Sequence, residues 1–148
     1  MAIATGAQAP PVDGATRDGP HVLVFFKVTC GTTQLATPAI ERLAQAFPDR
    51  VVGIGQDPQP ALDAFSTEYG LTLPLLPDLD PYEASDAYGI VSAPTAVAVG
   101  GDGAVLDVAE SWDREAWNRL AAGIADAVGV PPSTVSDADD GLPDFKPG

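Results

Sequence analysis

The chain has 148 residues with a net charge of −14, a sequence pI of about 4.1, and 45% apolar residues. That length suits one domain with an adequate core, and so acidic a surface argues against nucleic acid and anionic membranes as partners. No apolar run approaches the ~20 residues of a membrane-spanning helix, and a single cysteine, Cys30, excludes an internal disulfide.

In chain order, residues 1–20 are rich in Ala, Gly and Pro and read as an irregular lead-in with no basic, long-apolar signal segment, so a cytoplasmic location is expected. Val22–Val28 is a continuous apolar run that predicts a buried strand. From Thr32 or Thr33 to Phe47 the apolar spacing of Leu35, Ala39, Leu43 and Phe47 predicts a helix, kinked at Pro38. Val51–Gly55 predicts a second strand. Asp57–Tyr69 predicts a helix opened by prolines and closed by Gly70. Leu73–Leu76 reads as a short strand. Asp80-Pro81-Tyr82-Glu83 has the form of a capping box for a short helix reaching Tyr88.

Thr95–Val99 and Ala104–Val108 read as strands joined by the turn Gly100-Gly-Asp-Gly103. Asp113–Val128 predicts an amphipathic helix, with Trp112 and Trp117 as its core and surface packing. Residues 130–148, acidic and Pro-rich, read as a loosely held tail, although Phe145 is an odd residue for one. The order of elements predicts an α/β sandwich over 21–129 whose mixed sheet cannot be purely parallel.

The chemistry concentrates at Cys30. A strand ends there and a helix begins, and a helix N-terminus favours a thiolate through its dipole and free amides. Lys27 stands three residues earlier as a candidate cation, or as an ordinary solvated lysine. Thr33 reads as a hydroxyl donor to the thiolate or as the helix N-cap, two compatible readings. The one histidine, His21, lies nine residues before the thiol, and one Cys with one His makes no zinc site. The acidic residues Asp78, Asp80, Glu83 and Asp86 lack the spacing of a calcium loop.

Val22–Leu43 resembles the active-site segment of the thioredoxin superfamily, in which a strand delivers Cys-x-x-Cys to a helix kinked by a proline eight residues after the first cysteine; Pro38 lies eight after Cys30. Ser92-Ala93-Pro94-Thr95 is similar to the family's cis-proline loop, and the extra segment 57–88 looks like the insertion of the AhpC/TSA and cytochrome-maturation branch. The likeness spans about residues 6–129 and implies a three-layer sandwich with about five strands and about four helices. It implies Cys30 as nucleophile, Thr33 at the place of the resolving cysteine, and Pro94 facing the thiol. Thr29, Gly31, Thr32 and Ala93 would be the residues beside the substrate.

The departures are as specific. Val24 stands where many thioredoxins carry a buried acid, Thr29 where a tryptophan is usual, and Lys27 where peroxiredoxins need Thr or Ser. The expected function is a monothiol oxidoreductase acting on a disulfide, a mixed disulfide or a peroxide. An external thiol would resolve it, with a low-molecular-weight thiol as co-reductant and no bound cofactor or metal. Its partners would be thiol- or disulfide-bearing proteins or small thiols. The alternatives are a catalytically decayed binding module and a redox sensor that forms a homodimer through a Cys30 disulfide.

Overall fold

The computed structural model describes all residues, Met1–Gly148. Its first strand, β1 (His21–Phe26), is buried along its whole length, because both faces of the sheet are covered and a central strand then needs apolar residues on both sides. It runs parallel to β2 (Val51–Gly55), which is parallel in turn to β3 (Leu75–Pro77). On its other edge β1 pairs antiparallel with β4 (Thr95–Val99), and β4 with β5 (Val105–Glu110). The mixed five-stranded sheet therefore has the order β3-β2-β1-β4-β5.

Alternation along β1 divides the core. Val22, Val24 and Phe26 join the larger cluster beneath α1 (Gly31–Ala46), α2 (Gln59–Tyr69) and α4 (Arg114–Val128). Leu23 and Phe25 join a smaller cluster with Tyr88, which follows the short helix α3 (Glu83–Ala87), and with the N-terminal lead-in. This is the thioredoxin-like α/β architecture that the sequence predicts.

Gly55 lets α2 approach the sheet. A methyl at Gly55 would run into Leu62 of α2 and lie 2.9 Å from the Phe26 ring. Gly55→Ala should therefore cost about 2 kcal/mol by overpacking, read as a lower urea midpoint with an unchanged slope; an unchanged midpoint would show that the helix yields freely.

Pro38 sits inside α1, where it cannot donate to the Gln34 carbonyl. Thr37 Oγ1 donates to that carbonyl at 2.8 Å and replaces the lost bond.

Several expected boundaries move. β1 stops at Phe26 rather than Val28, because the Val28 amide donates to Asp57 Oδ2 at 2.9 Å and not to a strand. Asp57 is thereby drawn out of α2, which starts at Gln59. β3 starts two residues later than expected and ends one later, at Leu75–Pro77.

The capping box at Asp80 does not form. Tyr82 takes a left-handed backbone with φ 58°, and Asp78 caps α3 by accepting from the amides of Ala84 and Ser85. α4 starts at Arg114, with Asp113 as its N-cap accepting from the Ala116 amide at 3.2 Å. Both tryptophans are core residues: Trp112 and Trp117 are fully buried, their ring centroids 5.7 Å apart.

The largest departure is the C-terminal segment, which is docked and not loose. Val135 and Ser136 are buried. The Arg114 guanidinium donates to Ser136 Oγ and the Leu142 carbonyl, and pairs with Asp140 and Asp144. Asp140 also accepts from Ser136 Oγ at 2.6 Å and the Leu142 amide at 2.9 Å, and its carboxyl is held well below the usual carboxylate range. Composition signalled disorder here, but the buried Arg114 ringed by acceptors, with Arg42 also donating to Asp140 and the Val135 carbonyl, outweighs that signal.

Beyond this ring, Trp112 Nε1 donates to the Pro143 carbonyl at 2.7 Å. Two residues, Phe145–Lys146 (β7), then pair antiparallel with Trp112–Asp113 (β6).

Candidate active site

Cys30 stands at the N-cap of α1 with an extended backbone, so the helix begins immediately after the sulfur. The turn that presents it is held from outside. Cys30 N donates to the Lys27 carbonyl, Gln34 Nε2 to the Val28 carbonyl at 2.9 Å, and the Val28 amide to Asp57. Gln34 and Asp57 carried no site signal in the sequence, because each acts through a backbone atom that only the folded turn places beside it. Thr33 is not the N-cap: it occupies the third position of the helix, fully buried.

The thiol is half-buried and donates to the Ala93 carbonyl at 3.4 Å. The Ala93–Pro94 peptide bond is cis, and the loop is shaped by Thr95 Oγ1 donating to the Ser92 carbonyl at 2.8 Å. Cys30, Ala93, Lys27 and Gln56 line one cleft of about 340 Å³ with Phe25, Phe26, Ser85, Ile90, Val91, Ser92 and Gly148.

Two opposing effects set the Cys30 pKa. Burial raises it, but the amide and hydroxyl of Thr33, followed by the amide of Thr32, outweigh burial and hold it below the ordinary thiol value. Lys27 is exposed on the cleft wall, and the lowering comes from the two threonines, not from that cation.

Thr33 Oγ1 is the single buried side-chain polar atom with no hydrogen-bond partner. The protonated sulfur is turned to Ala93; once deprotonated, it becomes an acceptor for Thr33. Thr32 is also buried, its hydroxyl donating to the Pro147 carbonyl at 2.7 Å.

The fold thus gathers Cys30, Thr32, Thr33 and Ala93, with Pro94 next in the loop, whereas Thr29 and Gly31 are exposed beside the sulfur. Val24 is buried where an acid would be needed for a proton relay. His21 lies at the opposite end of β1 from the thiol, its Nδ1 3.0 Å from the Gly19 carbonyl. No group of His, Cys, Asp and Glu is arranged to hold a metal ion, and no helix is long and apolar enough to cross a membrane.

No curated protein matches the chain. Among solved structures, it is similar to a secreted Mycobacterium tuberculosis disulfide oxidoreductase homologous to E. coli DsbE, with 23% identity and a TM-score of 0.61 over 74% of this chain and 83% of that one. It is also similar to a putative thiol:disulfide interchange protein DsbE from Chlorobium tepidum, with 18% identity and a TM-score of 0.71 over 86% of this chain and 99% of that one. An uncharacterized conserved protein from Geobacillus kaustophilus has 21% identity and a TM-score of 0.68 over 88% and 85% of the two chains. At these identities the likeness establishes the thioredoxin-like fold.

The model of the AhpC/TSA family matches residues 8–108, a stretch that includes β1, Cys30, the insertion and the Ala93–Pro94 loop. The chain belongs to the AhpC/TSA family.

Proposed function

We propose that the protein is a monothiol oxidoreductase in which the Cys30 thiolate attacks a disulfide or mixed disulfide. One observation carries this reading: the only thiol stands at a helix N-cap with its pKa held down by Thr33 and Thr32. The kind of chemistry named for the M. tuberculosis and C. tepidum proteins agrees with it.

In the first step Cys30 Sγ forms a bond to one sulfur of the substrate as the substrate's S–S bond breaks, and the second sulfur leaves as a thiolate. Thr33 cannot perform the second step, since a hydroxyl is no nucleophile toward a disulfide. An external thiolate therefore attacks the mixed disulfide, takes the substrate sulfur and returns Cys30 to its thiolate. A low-molecular-weight thiol fits this role.

The pH dependence of alkylation tests the reading. The rate should rise with pH with its midpoint at the lowered Cys30 pKa, below the ~8.5 of a free thiol. A midpoint at or above that value would favour the alternative of a binding module without catalysis.

A further inference from the structure

The chain's own C-terminal segment lies across this site. After the two paired residues of β7, Pro147 has no amide to donate and strand pairing ends. Its carbonyl accepts from Thr32 Oγ1 at 2.7 Å, beside Cys30. The next amide, of Gly148, donates to Ser111 Oγ at 3.2 Å, and Gly148 forms part of the wall of the Cys30 cleft. Gly148 packs so closely that any side chain there would run into the Ala93 carbonyl, the same atom to which the thiol donates.

An extended stretch of polypeptide thus already covers Thr32 and Ala93 on one side of the sulfur, while the sulfur itself stays half-exposed.

We propose that Phe145–Gly148 is a built-in occupant of the surface on which an extended polypeptide substrate would lie, so that protein disulfides reach Cys30 only after this segment is displaced, whereas small disulfides reach it directly. The inference rests on Cys30 being the nucleophile. Its physical basis is competition: a tethered segment presents itself at an effective concentration on the order of millimolar, which excludes a weakly held peptide but not a small molecule that needs only the sulfur. The holding contacts are few, namely one two-residue ladder and two side-chain bonds. Local opening of such a segment lies at the low end of the stability range of a fold.

The experiment compares the full chain with a variant lacking Phe145–Gly148, which keeps the Arg114 contacts to Asp140 and Leu142 and the Trp112–Pro143 bond. Each is reduced and mixed with 2,2′-dipyridyl disulfide, and separately with an extended decapeptide whose single cysteine carries a pyridyl disulfide. In both reactions Cys30 forms a new S–S bond, the old one breaks, and pyridine-2-thiolate leaves and is protonated to the coloured thione.

The deletion should speed the peptide reaction about tenfold, the factor expected for removing a tethered competitor, and change the dipyridyl reaction less than about twofold. Gly148→Leu in the full chain, which drives the segment off the Ala93 carbonyl, should likewise speed the peptide reaction and leave the dipyridyl reaction within about twofold, and it keeps the proposal falsifiable if the deletion fails to fold. Equal peptide rates in all three proteins overturn the proposal while leaving Cys30 a nucleophile. Equal acceleration of both probes also overturns it, because the segment would then shield the sulfur in general. A thiol that reacts with dipyridyl disulfide no faster than a free cysteine overturns the nucleophile reading, and the proposal with it.

Discussion

Arg114→Ala should destabilise the protein by about 3 kcal/mol, the usual cost of stripping a buried charge network of one member. The Arg114 side chain is only 11% exposed, and it joins elements that are distant in sequence. Nε donates to Ser136 Oγ at 3.0 Å, and Nη2 to the Leu142 carbonyl at 2.6 Å and Asp140 Oδ1 at 3.4 Å. Its backbone amide donates to the Asp144 carbonyl at 3.0 Å and survives the substitution.

The loss should appear in two measurements: a lower urea midpoint, and faster amide hydrogen exchange in residues 143–148 than in β1. Arg114→Lys should recover only part of it, because a point ammonium cannot reproduce the planar fork that reaches four acceptors at once. A loss below about 1 kcal/mol, the range of an exposed pair, would show that the segment is held mainly by its other contacts, through Arg42, Asn118, Trp112 and the β6–β7 ladder.

Thr33→Val should separate reactivity from stability. Thr33 Oγ1 is buried and unpartnered while the thiol is protonated, so below the Cys30 pKa its replacement by an isosteric methyl should leave stability unchanged or raise it by up to ~1 kcal/mol. The same change removes a donor to the thiolate, and the Cys30 pKa should rise.

Alkylation at neutral pH should then slow about fivefold. That is less than the full worth of a hydrogen bond to a charged acceptor, since water also reaches this half-exposed sulfur. The sign of the linkage follows from the direction of the shift. A thiol pKa lower in the folded chain than in the unfolded one contributes stability above the ordinary thiol value, and that contribution is lost as pH falls through the folded pKa. The wild type should therefore gain on Thr33→Val only as pH rises through that interval. An unchanged alkylation rate together with reduced stability would make Thr33 a packing residue alone.

These two residues differ in how far they could be read in advance. Thr33 was legible because it lies three residues from Cys30, at a position that a known redox segment reserves for chemistry. Arg114 was not, since its partners are 22 to 30 residues away in a segment whose composition signals disorder. The same contrast separates Ala93, found through the proline that follows it, from Asp57. The latter looked like the start of a helix until the fold placed its carboxylate against the Val28 amide.

By itself, the sequence determined the α/β order, the buried strand before the thiol and the helix that follows Cys30, while the loop at Ala93–Pro94 was implied by its resemblance to a known redox family. Each is written in periodicity, in glycine and proline positions, or in spacing over a few residues. Tertiary structure alone decided three things: which cap serves α3, what holds the turn before the thiol, and where the last residues of the chain lie. All three depend on hydrogen bonds from side chains to backbone groups across the fold, and such bonds leave no periodic trace in the sequence. For that reason the segment read as a loose tail became the one that crosses the candidate active site.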